Sequence, residues 1–252
     1  MPSSRPTITV IVPVLNEERT ISTVLDRLNQ LRAAGQDVQI LVVDDGSTDG
    51  TGDLLAKLEK PNGLIVLRHA TNRGKSAAFR TALAHATGLV SVIQDADLEY
   101  DPAEIPELVN PLLNQECEVV YGSRYMRPNP AAPWNHFRLA VLAMNWLVWL
   151  LYGRRLTDIA TCYKALPTEL YRALDIRSNR FEFCAEVTAK LCRLNIRIKE
   201  MPISYHPRSK AEGKKIGLRD AFAFAWTLIV WRFRRFQPKC NEQRPVSVTL
   251  AR

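Results

Sequence analysis

Between residues 7 and 121, short apolar, β-branched runs alternate with segments of helical spacing, and this constrains the fold more than any other feature of the chain. The runs at 8–12, 39–43, 64–67, 89–93 and 119–120 read as strands. The intervening segments, to about residue 58, over 72–87 and over 104–114, read as helices. Successive βα units of this kind feed a mostly parallel sheet flanked by helices, so the predicted class is α/β. Asn16 is the expected cap of the first helix, with Glu17 and Glu18 in its first turn, and Ser47 or Thr48 that of the second. Beyond residue 121 the pattern becomes less regular and more basic, and Pro128, Pro130 and Pro133 mark a break in regular structure.

A chain of 252 residues can bury one full core. The expected division is a tail over 1–7, a principal domain over 8–220, an apolar and basic helix over 221–236 and a mobile tail over 237–252. Thirty-four Lys and Arg against 26 Asp and Glu leave a net charge of +8, which favours an anionic partner. Nucleic acid is disfavoured as that partner, because no helix-turn-helix, zinc finger or RNP-like strand is present. The five cysteines form no Cys-x-x-Cys pair and predict neither a disulfide framework nor a zinc site, which fits a reducing, cytoplasmic setting. Residues 1–7 lack the apolar core of a secretory signal, so export by that route is not expected.

Two carboxylate pairs stand at predicted strand ends. Asp95 and Asp97 flank Ala96 after the fourth strand, and two residues apart in extended backbone they face one side, where both can meet a single cation. Such hard oxygen ligands suit Mg²⁺ or Mn²⁺; the alternative is a solvated acidic turn continuing through Glu99 and Asp101. Asp44 and Asp45 end the second strand, suited either to hydroxyls of a base or ribose or to an ordinary strand-to-helix turn. The edge where parallel strands end is where open α/β sheets bind ligands. Neither a P-loop nor a Gly-x-Gly-x-x-Gly fingerprint is present, and the chain is about twice the length of a phosphoacceptor receiver domain. Arg124, Arg138, Arg208 and Lys214 form the later basic set, suited to phosphate, although surface charge explains any one of them alone.

Taken in order, Pro13-Val14-Leu15-Asn16-Glu17, Val43-Asp44-Asp45-Gly46-Ser47, Asn72-Arg73-Gly74-Lys75, Asp95-Ala96-Asp97 and Gly122-Ser123-Arg124 resemble the family 2 glycosyltransferases. Residues 157–164, Phe181-Glu182-Phe183 with Glu186, and 200–216 extend the resemblance towards polyprenyl-phosphate sugar synthases typified by dolichyl-phosphate mannose synthase. Thr161-Cys162-Tyr163 departs from the Ser/Thr-Gly-aromatic sequence usual there, which predicts a different turn before Lys164.

The resemblance implies a GT-A fold, a nucleotide-sugar donor of the GDP-mannose or UDP-glucose type, Mg²⁺ or Mn²⁺, and a polyprenyl-phosphate acceptor at the cytosolic membrane surface. It places Pro13, Asn16, Glu17, Asp44, Asp45, Lys75, Asp95, Ala96 and Asp97 at the nucleotide sugar, and Asp95 and Asp97 at the metal. Arg124, Arg138, Arg208 and Lys214 fall to the acceptor phosphate, with Asp97, Arg124 and Arg208 as the catalytic group. The implied reaction is an inverting displacement in which the acceptor phosphate, already anionic, needs little help from a general base.

The apolar stretches at 139–152 and 221–231 fall short of the roughly 20 residues that span a bilayer. The second, with Trp226, Trp231 and the following Arg232, Arg234 and Arg235, has the character of an interfacial anchor. Burial against the principal domain is the alternative for both. An acceptor that is soluble or a protein, and a non-catalytic scaffold, are the competing functions.

Overall fold

The computed structural model describes residues 7–58, 63–127, 136–208 and 218–239. Strands β1 (Ile8–Val14), β2 (Val38–Asp44), β3 (Leu64–Arg68), β4 (Val90–Ile93), β5 (Val119–Ser123), β6 (Lys164–Pro167) and β7 (Ile198–Pro202) form one sheet in the order β3-β2-β1-β4-β6-β5-β7. Helices α1 (Ile21–Ala33), α2 (Thr51–Lys57), α3 (Lys75–His85), α4 (Ile105–Leu113), α5 (His136–Tyr152), α6 (Thr168–Ala173), α7 (Phe183–Arg193) and α8 (Leu218–Phe233) complete the described fold.

Every residue of β1 and β2 is buried, because helices cover both faces of a parallel sheet and an alternating pattern would put polar groups in the core. Strands β3, β2, β1 and β4 run parallel, with Val12 opposite Val42 and Ile11 opposite Ile93. β6 runs antiparallel to both β4 and β5, and β7 is again parallel to β5. This single reversal has a functional consequence: the loop that enters β6, residues 157–163, lies at the same edge as the loops that leave β1, β2, β4, β5 and β7.

The loops after β1 and β2 are stapled together, and this corrects the expected helix caps. Asn16 adopts a positive φ of 54°, which Asn tolerates, and its side-chain oxygen accepts the Thr48 N–H at 2.8 Å. The Asn16 N–H donates to the Ser47 hydroxyl at 3.0 Å and the Glu17 N–H to the Thr51 hydroxyl at 2.9 Å. Asn16 and Ser47 are therefore spent between loops. α1 starts later, at Ile21, without an acid in its first turn, and Gly50 occupies the cap position of α2. Gly46 turns the chain with φ of 75° where a Cβ would lie 2.6 Å from the Thr71 carbonyl carbon.

α5 and α8 pack together, the Tyr152 hydroxyl donating to the Leu228 carbonyl at 2.6 Å, and α8 also packs on α7. Trp231 is buried, with the Lys190 ammonium 3.9 Å from its ring centre, so it belongs to the core and not to a surface anchor. The outer faces remain apolar. Leu139, Trp146 and Leu150 on α5 are exposed, as are Phe222 and Trp226 on α8, with Trp146 and Trp226 each more than half exposed. No described helix is long and apolar enough to cross a membrane. α8 crosses the boundary expected at residue 220, and Lys239 of the expected mobile tail donates its N–H to Ala173 and pairs with Asp175 at 2.7 Å.

Asn145 is the polar interruption in α5, and it is buried. Its amide donates to the Thr157 carbonyl at 2.7 Å and accepts the Ile159 N–H at 3.0 Å, tying this helix to the loop before β6. Replacement by a near-isosteric Leu strands both backbone groups away from water, at about 1–3 kcal/mol each. Asn145→Leu is expected to lower the free energy of unfolding by about 2–5 kcal/mol, measured by urea denaturation.

Candidate active site

The loops at this edge enclose an open cleft of about 610 Å³, a size suited to a small organic ligand. Among the residues marked from sequence, Pro13, Glu17, Asp45, Lys75, Asp95, Ala96, Asp97, Arg124 and Arg208 line it. Asn16 and Asp44 do not: Asn16 is held by Thr48, and Asp44 is buried, accepting the Ser47 N–H at 2.8 Å with Arg68 at 3.2 Å. Arg138 lies beside the cleft, its guanidinium 5.2 Å from the centre of the Tyr125 ring, and Arg124 lies at the same distance from that ring. Lys214 lies outside the described residues.

Three ion pairs organise the walls. Lys75, at the start of α3, meets the Asp95 carboxylate and lies 2.9 Å from the Cys162 sulfur. Burial disfavours its charge, but Asp95 and Cys162 outweigh burial and hold the amine well above the ordinary lysine range. Arg124 forks onto Asp158 with bonds of 2.6 and 2.7 Å, and Asp158 also accepts the Arg124 N–H. Arg208 bridges Glu17 at 3.0 Å and Asp97 at 3.0 Å, while its N–H donates to Glu99. The loop after β7 is thereby tied to the loops after β1 and β4.

Asp45 fixes the α3 end of the cleft. Its carboxylate accepts the N–H groups of Arg73 at 2.9 Å and Gly74 at 2.7 Å and bonds the His69 ring at 2.6 Å. Gly74 takes φ of 95°, and a Cβ there would collide with the Asn179 carbonyl oxygen. The Asn72-Arg73-Gly74-Lys75 turn is therefore set by a buried carboxylate and by close backbone approach.

Asp97 carries the clearest electrostatic signature. Burial, together with Asp95 and Glu99, pushes its carboxyl up to about 7 although Arg208 opposes the shift. Among the described residues no group of three or more His, Cys, Asp or Glu side chains is arranged to hold a metal by itself. Two neighbouring carboxylates, with that of Asp97 held up by burial, Asp95 and Glu99 despite Arg208, fit instead a hard divalent cation completed by ligand phosphate and water, the usual manner of Mg²⁺.

Several cleft residues were not marked as site residues from sequence. Asp158 positions Arg124 and is itself held by Glu200, which accepts the N–H groups of Thr157 and Asp158 at 2.8 and 3.0 Å. Cys162 presents its thiol to Lys75, and the contact with Cys184, burial and Asp95 push that thiol up. The turn before Lys164 is held from beneath by the buried Lys164 ammonium, which donates to the carbonyls of Ile159 at 2.9 Å and Thr161 at 2.7 Å. Tyr100, Arg180 and Phe181 also line the cleft. Asp158, Cys162 and Phe181 fall in segments that carry the family resemblance without being singled out there as site residues. The β6 reversal and the loop between α6 and α7 bring in Asp158, Cys162, Arg180 and Phe181, and the loop after β4 brings in Tyr100.

An Asp97 carboxyl raised from 3.8 to about 7 opposes folding progressively as pH rises through this interval, and fully above it. Without metal, Asp97→Asn is therefore expected to raise the melting temperature at pH 8 by at least about 2 °C, with the gain fading towards pH 4. Thermal unfolding in chelator across that range checks it.

The family model described as glycosyl transferase family 2 matches residues 9–173. The low-salt glycan biosynthesis hexosyltransferase Agl6 of Haloferax volcanii is 30% identical over 209 residues, 81% of this chain and 48% of that protein, so the chain spans about half of that relative. The undecaprenyl-phosphate mannosyltransferase of Micrococcus luteus is 31% identical over 82% of this chain and 86% of its own. In structure, glucosyl-3-phosphoglycerate synthase from Mycobacterium tuberculosis, crystallised with Mn²⁺, UDP and phosphoglyceric acid, aligns with a TM-score of 0.67 at 22% identity, over 90% of this chain and 77% of that one. That likeness bears on the fold, which is of the GT-A type. With a family model over more than half its length and a relative 31% identical over 82% of this chain and 86% of its own, the chain belongs to the family 2 glycosyltransferases.

Proposed function

We propose that this glycosyltransferase moves a hexosyl group, with inversion, from a nucleotide sugar of the GDP-mannose or UDP-glucose type to a polyprenyl phosphate. The observation that carries the reading is the pairing, in one cleft, of the Asp95 and Asp97 carboxylates with the Arg124 and Arg208 guanidinium groups. Relatives named for transfer to undecaprenyl phosphate and dolichyl phosphate support the acceptor class.

In this reading Asp95 and Asp97 would hold Mg²⁺ or Mn²⁺, which supplies charge stabilisation to the departing nucleoside diphosphate. Pro13, Glu17 and Asp45 line the donor side, and Lys75 stands beside Asp95. Asn16 and Asp44 act through the loops they brace. Arg124, kept in register by Asp158, and Arg208 orient the acceptor phosphate; Arg138 contributes from beside Tyr125, and Lys214 is assigned to the same task by its motif. A phosphate oxygen is already anionic, so orientation and partial neutralisation replace proton abstraction as the main duty of these residues.

The exposed apolar faces of α5 and α8, with Arg232, Arg234 and Arg235 at the end of the latter, support attachment to the cytosolic surface of a membrane, where the acceptor's chain resides. A second reading, transfer to a soluble phosphorylated acceptor, is favoured by the fold likeness to a protein crystallised with phosphoglyceric acid.

Purified protein incubated with Mg²⁺ or Mn²⁺, membranes and labelled nucleotide sugars is expected to yield chloroform-extractable label; label found only in water-soluble product overturns the lipid acceptor. Asp97→Ala is expected to lower kcat by about a hundredfold or more, since charge stabilisation of the leaving group is worth several kcal/mol. Trp146→Ser with Trp226→Ser is expected to abolish cosedimentation with vesicles containing anionic lipid while preserving the melting temperature, because both side chains are mostly exposed.

A further inference from the structure

Most cations that line the cleft already have carboxylate partners. Lys75 is paired with Asp95, Arg124 with Asp158, and Arg208 with Glu17 and Asp97. An anion that recruits any of these guanidinium or ammonium groups must share it with, or displace, a carboxylate. Arg180 differs. It lines the cleft and is exposed, and among the described residues its side chain has no carboxylate partner.

Although it belongs to a loop, Arg180 is held at a fixed position. The Glu186 carboxylate, buried and paired with Lys190, accepts the N–H groups of Arg177 at 2.9 Å and Ser178 at 2.7 Å. The Asn179 carbonyl accepts the Ser76 N–H at 3.0 Å, and the Arg80 guanidinium donates to the Asn179 side chain at 2.7 Å. The Arg180 side-chain stem rises close against Gly74, where a Cβ would stand 3.2 Å from its Cγ. Backbone on this side of the cleft is thus fixed to α3 and α7 before any ligand arrives.

The next residue gives the direction. Phe181 also lines the cleft, and its ring packs 6.2 Å from that of Phe224 on α8, the helix that carries the exposed Phe222 and Trp226. Asp220, in the first turn of the same helix, reaches the cleft as well. Arg180 therefore stands where the cleft adjoins the apolar surface. A donor diphosphate has its counter-charge assigned to the cation site at Asp95 and Asp97, whereas an acceptor phosphate needs a cation of its own.

We propose that Arg180 binds the phosphate of the lipid acceptor, receiving it from the apolar side and presenting it to Arg124 and Arg208. The assignment deepens the proposed function and rests on it. A charge-assisted hydrogen bond to phosphate corresponds to about a tenfold to hundredfold change in binding.

Steady-state kinetics with farnesyl phosphate, a short polyprenyl phosphate, provide the test. Arg180→Ala is expected to raise KM for farnesyl phosphate by about tenfold to a hundredfold, with KM for the nucleotide sugar and kcat changed by less than about twofold. Arg180→Lys is expected to recover part of the loss, because an ammonium replaces the charge without the planar fork. If the wild-type protein glycosylates farnesyl phosphate but Arg180→Ala leaves its KM unchanged, or raises the donor KM instead, the assignment is overturned and the lipid-phosphate reading survives. A wild-type protein inert towards farnesyl phosphate but active on a soluble acceptor overturns the reading itself, and the assignment with it.

Discussion

Half-buried negative charge at the C-terminal edge of the sheet is the constraint on which the rest of this structure depends. Asp95, Asp97, Glu99 and Glu17 converge there, and a carboxylate removed from water must be paired, hydrogen-bonded or protonated. The chain uses all three solutions. Lys75 neutralises Asp95, Arg208 spans Glu17 and Asp97, and Asp97 still has its carboxyl pushed up to about 7. These pairs link the loops after β1, β4 and β7 to the start of α3, so the ion pairs around Asp95 and Asp97 also hold the cleft together.

The antiparallel β6 supplies the complementary half. Had this strand run parallel to β4, the loop carrying Thr157, Asp158 and Cys162 would emerge at the opposite edge of the sheet. Reversal instead delivers Asp158 to Arg124 and Cys162 to Lys75. The same loop is gripped by Glu200 from the middle of β7 and by Asn145 from α5. Arg124 is consequently connected, through Asp158 and its neighbours, to the helix whose outer face is apolar. The polar interruption in that helix faces this loop, which is why it is buried while Trp146, one residue later, is exposed.

The first half of the fold was legible because β1 and β2 are buried on both faces and read as continuous apolar runs, and the edge strand β3 keeps the apolar run Leu64-Ile65-Val66-Leu67 although it is only partly buried. The predicted strands at 8–12, 39–43 and 64–67 each fall within the observed strand, short of its ends by at most two residues. β6 and β7 were not legible. Lys164-Ala165-Leu166-Pro167 opens on a buried lysine and closes on a proline, and Ile198–Pro202 is only partly buried, so neither presents the pattern of a core strand. The residues gathered from the first half of the chain could be read from acids at strand ends. Asp158, Cys162 and Arg180 could not, since their place depends on strand direction and loop path. Asn16 shows the converse limit: its identity suits a helix cap, and only the neighbouring loop reveals that its side chain is already used.

Internal pairing also explains how a cleft so rich in charge can remain folded and yet accept highly charged ligands. Arg208 is shared between two carboxylates on different loops, so its release from Asp97 leaves the guanidinium still bonded to Glu17. Lys75 has a comparable second contact in the Cys162 sulfur at 2.9 Å. Removing one partner of a buried pair is ordinarily costly because the other charge is left uncompensated. Here Arg208 and Lys75 each retain one contact after giving up another, while Arg124 is confined to Asp158 by a two-pronged bond and by the ring of Tyr205 at 5.2 Å. Lys75 and Arg208 are therefore exchangeable charges and Arg124 is a fixed one, and the division follows from which loops each arginine or lysine must hold.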